Sequence, residues 1–399
     1  MVKWKCCTIN DLGTVVGGAT PSTKKLENYE NGNIAWITPK DLAGLSGRYI
    51  FRGERNITEQ GLKSCSTQLL PAHSVLFSSR APIGYIAIAA NEVCTNQGFK
   101  SVVPNDNTDY LFLYYLLKYN KNKIESLGSG TTFKEVSGKT MKSIEVMVPE
   151  TIEEQRKIAS VLSGIDDKIE ENENINKNLL EQALAIYKDW FCDYALSDGI
   201  LPENWKITTI DAISSLVTRG IAPKYDDSSD QIVLNQKCIR DHTIDISLSR
   251  RHLPKKINEK WISKGDLLIN STGTGTLGRV AQVWFEANNM TVDSHVTIVR
   301  PKDPILQSYI GFWGLSHESE IEAQHTGSTG QTELPRDRVK AMELPLPDED
   351  TLSKFDELVI PMTSTVISNQ EENDRLSQLR DALLPKLMSG ELDVSDIDL

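Results

Sequence analysis

The chain states one pattern twice, about 200 residues apart. "WKCCTINDLGTVVGGATPS" from Trp4 is answered by "WKITTIDAISSLVTRGIAP" from Trp205, each a Trp-Lys followed by a strand-like start and a short apolar segment. "SVLFSSRAPIGYIAI" from Ser74 lies over "DLLINSTGTGTLGRVAQV" from Asp266, which matches Gly84 to Gly278. The helix-like "YLFLYYLLKY" from Tyr110 lies over "YIGFWGLSH" from Tyr309, and polar glycine-threonine loops come next, "GSGTTFKEVSG" from Gly128 and "GSTGQTELPRD" from Gly327. Each half finishes on a short strand stopped by proline, "IEVMVPE" at Ile144 and "MELPLPD" at Met342, and then enters a long helical pattern. A repeat of this length requires each half to build the same module, and 399 residues with 39% hydrophobic content suffice for two or three packed domains. The expected boundaries are globular halves at 1–150 and 198–350, with helical segments at 151–197 and 351–399. The fold class expected is α/β in the mixed α+β sense: two pseudo-symmetric globular domains separated by an antiparallel coiled coil of two long helices.

The helical segments carry heptads. Residues seven apart read Ile158, Ile165, Asn172, Leu179 and Ile186, with Val161, Leu162, Ile169, Ile175 and Ala183 beside them. The second set reads Phe355, Met362, Asn369, Leu376 and Leu383, flanked by Leu358, Val359, Val366, Leu379 and Leu387. Either helix alone would expose its stripe, so packing one on the other is the economical solution. A helix of about 35 residues reaches roughly 50 Å, the length of a spacer. Centred seams would bring Asn172 and Asn369 together as a register-fixing pair; the alternative leaves each facing water. Pro361 is expected to kink the second helix or to detach its first part.

No catalytic signature is found. Gly273, Gly275 and Gly278 spell G-x-G-x-x-G, but the repeat retains only the last glycine, and "RVAQVWFEA" aligns with the strand-like "YIAIAA" rather than opening a helix. "SGKT" from Ser137 lacks the P-loop glycine, since Phe133 stands there. Six cysteines without C-x-x-C spacing and six scattered histidines point to reduced thiols in the cytoplasm and no metal site. Neither a signal peptide nor an apolar run of membrane-spanning length is found, so no membrane association is expected, and with no nucleotide or metal motif surviving no cofactor is expected. The net charge of −12 is unevenly placed: the first 150 residues carry a basic excess, while both helical segments are acidic. Basic residues cluster in each half beside hydroxyl- and amide-bearing loops, the inventory that duplex reading requires, although a solvated surface would show the same charge runs.

Taken in order, these segments give the chain a family likeness: it resembles the DNA-specificity subunits of type I restriction-modification enzymes. The resemblance rests on the tandem halves, "GGATPS", "IAWITPKDL" at Ile34, "SVLFSSRAPIGYIAI", "TNQGFK" at Thr95 and "VPETIEEQRKIASVLSGIDDKI" at Val148. It extends to the ends "LLEQALAIYKDWF" at Leu179 and "LRDALLPKLMSGEL" at Leu379, whereas "TLSKFDELV" in the second half lacks the Glu154–Gln155 pair. What the resemblance implies is a non-enzymatic subunit whose two target-recognition domains each read one part of a split, asymmetric double-stranded DNA site. The helices would set the gap and dock two methyltransferase subunits, with restriction and translocase subunits as further partners. The residues expected to face one half-site are Lys24, Lys25, Lys40, Arg48, Arg80, Asn96, Gln97, Thr131, Thr132 and Lys134. Those expected at the other are Arg219, Lys224, Gln236, Lys237, Arg240, Thr274, Gln331 and Arg336. Two rival readings stand beside this one: a scaffold whose duplicated domains grip proteins, and a nucleotide-dependent enzyme built around Gly273–Gly278.

Overall fold

A computed structural model describes residues 2–45, 47–130, 134–253, 258–273, 275–327 and 332–395. The chain divides into two compact units, and the division falls inside both long helices: residues 1–172 with 372–399 form one unit, and 173–371 form the other.

In the first unit a five-stranded sheet takes the order Gly13–Gly17, Lys100–Pro104, Val75–Ser79, Ile83–Ala89, Tyr49–Ile50. A three-stranded sheet sets Ile34–Ile37 between Arg55–Ile57 and Val93–Thr95. The outermost ribbon joins Trp4–Thr8 to Glu145–Pro149 in antiparallel register. The strand Val75–Ser79 is buried throughout because both of its faces are covered, one by the helix Tyr110–Tyr119 and the other by the small sheet. That explains why its sequence is continuously apolar rather than alternating.

The second unit repeats this plan. A four-stranded sheet takes the order Ser214–Arg219, Val296–Pro301, Leu267–Asn270, Val280–Gln282, and Ile232–Leu234 pairs in parallel with Met290–Val292, as Ile34–Ile37 pairs with Val93–Thr95. The helix Gln307–Ser316 packs on the hairpin as Tyr110–Tyr119 does in the first unit, and Lys206–Thr209 joins Glu343–Leu346 in the outer ribbon. Gly84 and Gly278 both have left-handed φ, +95° and +84°. Each lies where a side chain would strike a following short helix, at Lys121 in one case and at the Glu322 backbone in the other.

The three-glycine run is a hairpin. The strand Leu267–Asn270 enters it, the antiparallel strand Val280–Gln282 leaves it, and the Gly278 N–H donates to the Asn270 carbonyl at 2.8 Å. Among the described residues no helix opens after Gly278, where the dinucleotide reading of this run requires one.

The central helix runs Ile152–Phe191 and the C-terminal helix Glu349–Ser389. Both begin on side-chain caps: the Glu154 N–H donates to the Thr151 hydroxyl, and the Thr351 N–H to the Asp348 carboxylate at 3.0 Å. The C-terminal helix is unbroken across Pro361, which stands on its exposed side, so the expected detachment of the first turns does not occur.

In the first unit the two helices meet antiparallel through Asp166–Arg380, the Ile169 carbonyl with Asn373, and Asn172 with Glu372 and Asn373. In the second they meet through Asn176 with the Val366 carbonyl and with Asn369, and through the Tyr187 and Phe355 rings, 6.0 Å apart. The expected Asn172–Asn369 pair is therefore replaced. Asn172 bonds Glu372 and Asn373, and Asn369 bonds Asn176, a register displaced by one helical turn from the centred one. The apolar stripe is also partly misplaced by heptad counting, since Ile175, Leu358 and Leu379 are exposed while Asn172 and Asn176 are buried. In each unit the helix pair is polar where the division falls, a knot in which each buried amide has a partner, the condition that makes such burial tolerable.

Candidate nucleic-acid interface

In the first unit three loops are tied together at Ser79, the last residue of its strand. The Ser79 N–H donates to the Gly98 carbonyl at 2.7 Å, its hydroxyl donates to the same oxygen at 3.1 Å, and its carbonyl accepts from the Val136 N–H at 3.0 Å. A fourth segment joins where the Ala19 N–H donates to the Thr95 carbonyl. A Cβ on Gly18 would lie 2.2 Å from the Thr95 and Asn96 carbonyls, so glycine is required for that approach.

The second unit ties the equivalent knot with different residues. The Ser271 N–H donates to the His295 carbonyl and the Leu334 N–H to the Ser271 carbonyl, both at 2.8 Å. The Ile221 N–H donates to the Val292 carbonyl, and a Cβ on Gly220 would meet that oxygen at 2.0 Å. These bonds are backbone to backbone apart from the Ser79 hydroxyl. The frame is therefore independent of most of the side chains it displays.

On the first frame Arg80 and Lys100 both reach the Glu135 carboxylate, at 3.5 and 3.4 Å, and Lys134 is exposed beside it. Gln97 is exposed and accepts the Thr20 hydroxyl, while Asn96 turns its Oδ1 onto the Gly98 N–H at 2.8 Å and so shapes the loop. On the second frame Arg219 pairs with Glu333 and donates to the Leu334 carbonyl at 2.9 Å. The Thr272 hydroxyl and His295 Nδ1 are 2.7 Å apart, and Gln236 Oε1 lies 3.5 Å from Thr272. Burial pushes the Asp293 carboxyl upward, opposed by the N–H and charge of His295. The arrangement presents donors, acceptors and cations on a loop cluster tied by backbone hydrogen bonds.

The other expected contacts lie outside the two knots. Lys24 and Lys25 are exposed, Lys40 pairs with Glu54 at 2.8 Å, Lys224 and Arg240 are exposed, and Lys237 is exposed next to Gln236. Arg336 opens a short helix two residues past Leu334 and faces Asp337 at 3.6 Å. Thr131, Thr132, Thr274 and Gln331 lie outside the described residues.

Arg48 requires a correction. Its side chain is 4% exposed and bonds Asp167, Glu170, the Tyr115 hydroxyl and the Ser163 carbonyl. Burial alone would favour the neutral guanidine, but Tyr115 and Asp167 outweigh it and keep the group charged. Arg48 fastens the first module to the central helix and has no face left for DNA. Gln155 has a similar role, accepting the Asp109 N–H at 3.0 Å and donating to the Asn107 carbonyl.

Lys100, Glu135, Thr272, His295 and Glu333 stand on the two frames and are absent from the sequence-based set. Glu135 and Glu333 occupy matching places in the two glycine-threonine loops, the "KEV" and "TEL" triplets. Aligning those triplets would have found both. Among the described residues no group of three or more His, Cys, Asp or Glu is placed to hold a metal ion, and no helix is long and apolar enough to cross a membrane. Ser137, the start of "SGKT", turns its hydroxyl onto the Thr140 N–H of its own short helix.

Residues 1–181 match the family described as "Type I restriction modification DNA specificity domain". The chain is 34% identical over 99% of its length to the type I restriction enzyme MjaIX specificity subunit of Methanocaldococcus jannaschii, of which the match spans 94%. It is 23% identical to the HindI specificity subunit of Haemophilus influenzae, over 98% of this chain and all of that one. The crystal structure of a type I restriction-modification S subunit from M. genitalium superposes with a TM-score of 0.60 at 16% identity, covering 97% of this chain and 96% of that one.

Proposed function

The chain belongs to the family of type I restriction enzyme specificity subunits, and from that membership we propose that its two loop knots are the two readers of a split DNA site. Each module faces one part of the site, the paired helices fix the gap, and methyltransferase subunits docked along the helices carry the chemistry. The observation that supports this most is one backbone frame built twice with different side chains upon it: Arg80 stands where Thr272 does, and Gly98 where His295 does. A pair of frames with unlike side chains suits two unlike half-sites, because direct readout depends on which donors and acceptors reach the base edges. The acidic total opposes tight binding by this chain alone, since counterion release scales with the phosphates neutralised, so basic partner subunits supply the remaining attraction.

Residues on and off the frame should then give distinct phenotypes. Alanine at Arg80 or Gln97, if bidentate to a base, weakens cognate binding by about 1–3 kcal/mol and relaxes preference at one base pair, whereas alanine at Lys24 weakens all duplexes alike. Competition binding with a panel of singly substituted duplexes checks this. Unchanged preference in both the Arg80 and Gln97 variants would remove the first knot from the reading.

A further inference from the structure

We propose, resting on the DNA-reading function above, that the first module holds the phosphodiester backbone in a basic groove flanking its loop knot, and that the second module has lost the equivalent grip. An open concavity of about 890 Å³ is lined by Thr8, Asn10, Lys100, Lys139, Lys142 and Ser143, among other residues. It adjoins the knot directly, because Lys100 is the residue whose ammonium reaches Glu135, which in turn meets Arg80. Lys139 and Lys142 are exposed, and no described carboxylate lies within ion-pair distance of either. Asp11, on the short helix Ile9–Leu12, is turned onto the N–H and hydroxyl of Thr8 at 2.7 Å. The groove therefore offers two unneutralised ammonium groups with hydroxyls beside them, which is the chemistry of a phosphate-holding surface.

The duplication supplies the contrast. The ribbons and short helices of the two units correspond in sequence order, with the Ile9 N–H on the Ile144 carbonyl and the Ile210 N–H on that of Met342. Asn10 thus corresponds to Asp211 and Lys142 to Lys340. In the second unit those two form an ion pair at 3.0 Å. Lys139 corresponds to Asp337, which faces Arg336, and Lys100 corresponds to Thr297. Gly17 and Gly138 of the groove correspond to Arg219 and Arg336, so the second unit keeps cations here. Arg219, Arg336 and Lys340 each face a carboxylate, however, whereas Lys139 and Lys142 face none among the described residues. The salt-sensitive part of DNA affinity is therefore concentrated in the first module.

The test is the salt dependence of duplex binding by the full chain with its co-expressed methyltransferase, for the parent, K139Q/K142Q and K340Q. Removing one ammonium–phosphate pairing lowers the slope of log K against log salt by about 0.9. K139Q/K142Q should lower it by about two, for cognate and scrambled duplexes alike, and K340Q should leave it unchanged. An N10D variant, which recreates the second module's arrangement beside Lys142, should lower it by about one. An unchanged slope in K139Q/K142Q overturns the groove while leaving the function standing, as does a loss confined to the cognate duplex. If the parent takes up inorganic phosphate saturably and the double variant loses only that uptake, the groove is a small-anion pocket and the proposal fails. A parent with no salt-dependent duplex binding overturns both readings. Matching melting temperatures for parent and variants exclude misfolding as the cause.

Discussion

Replacing Asp166 by alanine is expected to destabilise the first unit by about 3–5 kcal/mol, the cost of removing one partner from a buried ion pair. Asp166 is 8% exposed at its side chain and bonds Arg380 Nη1 at 2.8 Å and the Tyr115 hydroxyl at 2.6 Å. Burial and the Asp166 charge together push the Tyr115 hydroxyl far above its ordinary range, so Tyr115 stays a donor to that carboxylate at any working pH. Tyr115 comes from the module, Asp166 from the central helix and Arg380 from the C-terminal helix. One carboxylate therefore ties three segments of the first unit, and Arg48 reinforces the tie through Tyr115 and Asp167. Without Asp166 the half-buried Arg380 keeps only exposed Asp381, and the Tyr115 hydroxyl is left with Arg48 alone. Calorimetric or urea unfolding of the full chain measures this, and the loss corresponds to roughly 2–4 °C in Tm per kcal/mol for a unit of this size. Combining Asp166→Leu with Arg380→Met should recover much of the loss, because an apolar pair of similar volume avoids the stranded charge. A single-variant loss below about 1 kcal/mol, the level of an exposed pair, would show that the carboxylate is not the tie described.

Inserting one helical turn, about 5.4 Å of rise, into both long helices is expected to lengthen the tolerated gap of the DNA site by one or two base pairs. Methylation at the parental motif should fall to background while a new motif with the same outer bases emerges. The insertion is best placed away from the polar knot. Asn172, Asn176, Asn369 and Asn373 are bonded across the seam in pairs specific to the present register, and a buried amide without its partner costs about 1–3 kcal/mol. A longer chain that methylates the parental motif undiminished would separate gap length from helix length.

Much of this architecture is legible in the chain itself, because duplication is visible wherever the same turn geometry recurs. Gly84 and Gly278 match by sequence, and both are left-handed positions beside a following helix. Rejecting the three-glycine run depends on the residues after Gly278, and those residues form a strand. The site is harder to read. Charge in a sequence does not reveal burial: Arg48 looks like its basic neighbours, yet its acceptors come from Tyr115, Ser163, Asp167 and Glu170, all far along the chain. Heptad counting tracks apolar residues, whereas the seam between Ile169 and Ala183 buries asparagines and leaves Ile175 outside. A register held by amides rather than leucines is invisible to an apolar period, and so an Asn172–Asn369 pairing misses by one turn. Pro361 departs from expectation in the other direction. On the exposed side of a helix that packing supports elsewhere, a missing N–H does not end the element.

Whether two copies of one loop frame read two separate parts of a DNA site can be decided by single-molecule methylation mapping. The DNA would come from cells expressing this chain with its methyltransferase, either as the parent or with the side chains of the first frame replaced at Arg80, Gln97 and Lys134. The parent should give a bipartite motif, and the variant altered bases on one side of the gap only, with the other side and the spacing preserved. An undivided motif, or changes on both sides of the gap from substitutions confined to the first frame, would refute the two-reader scheme.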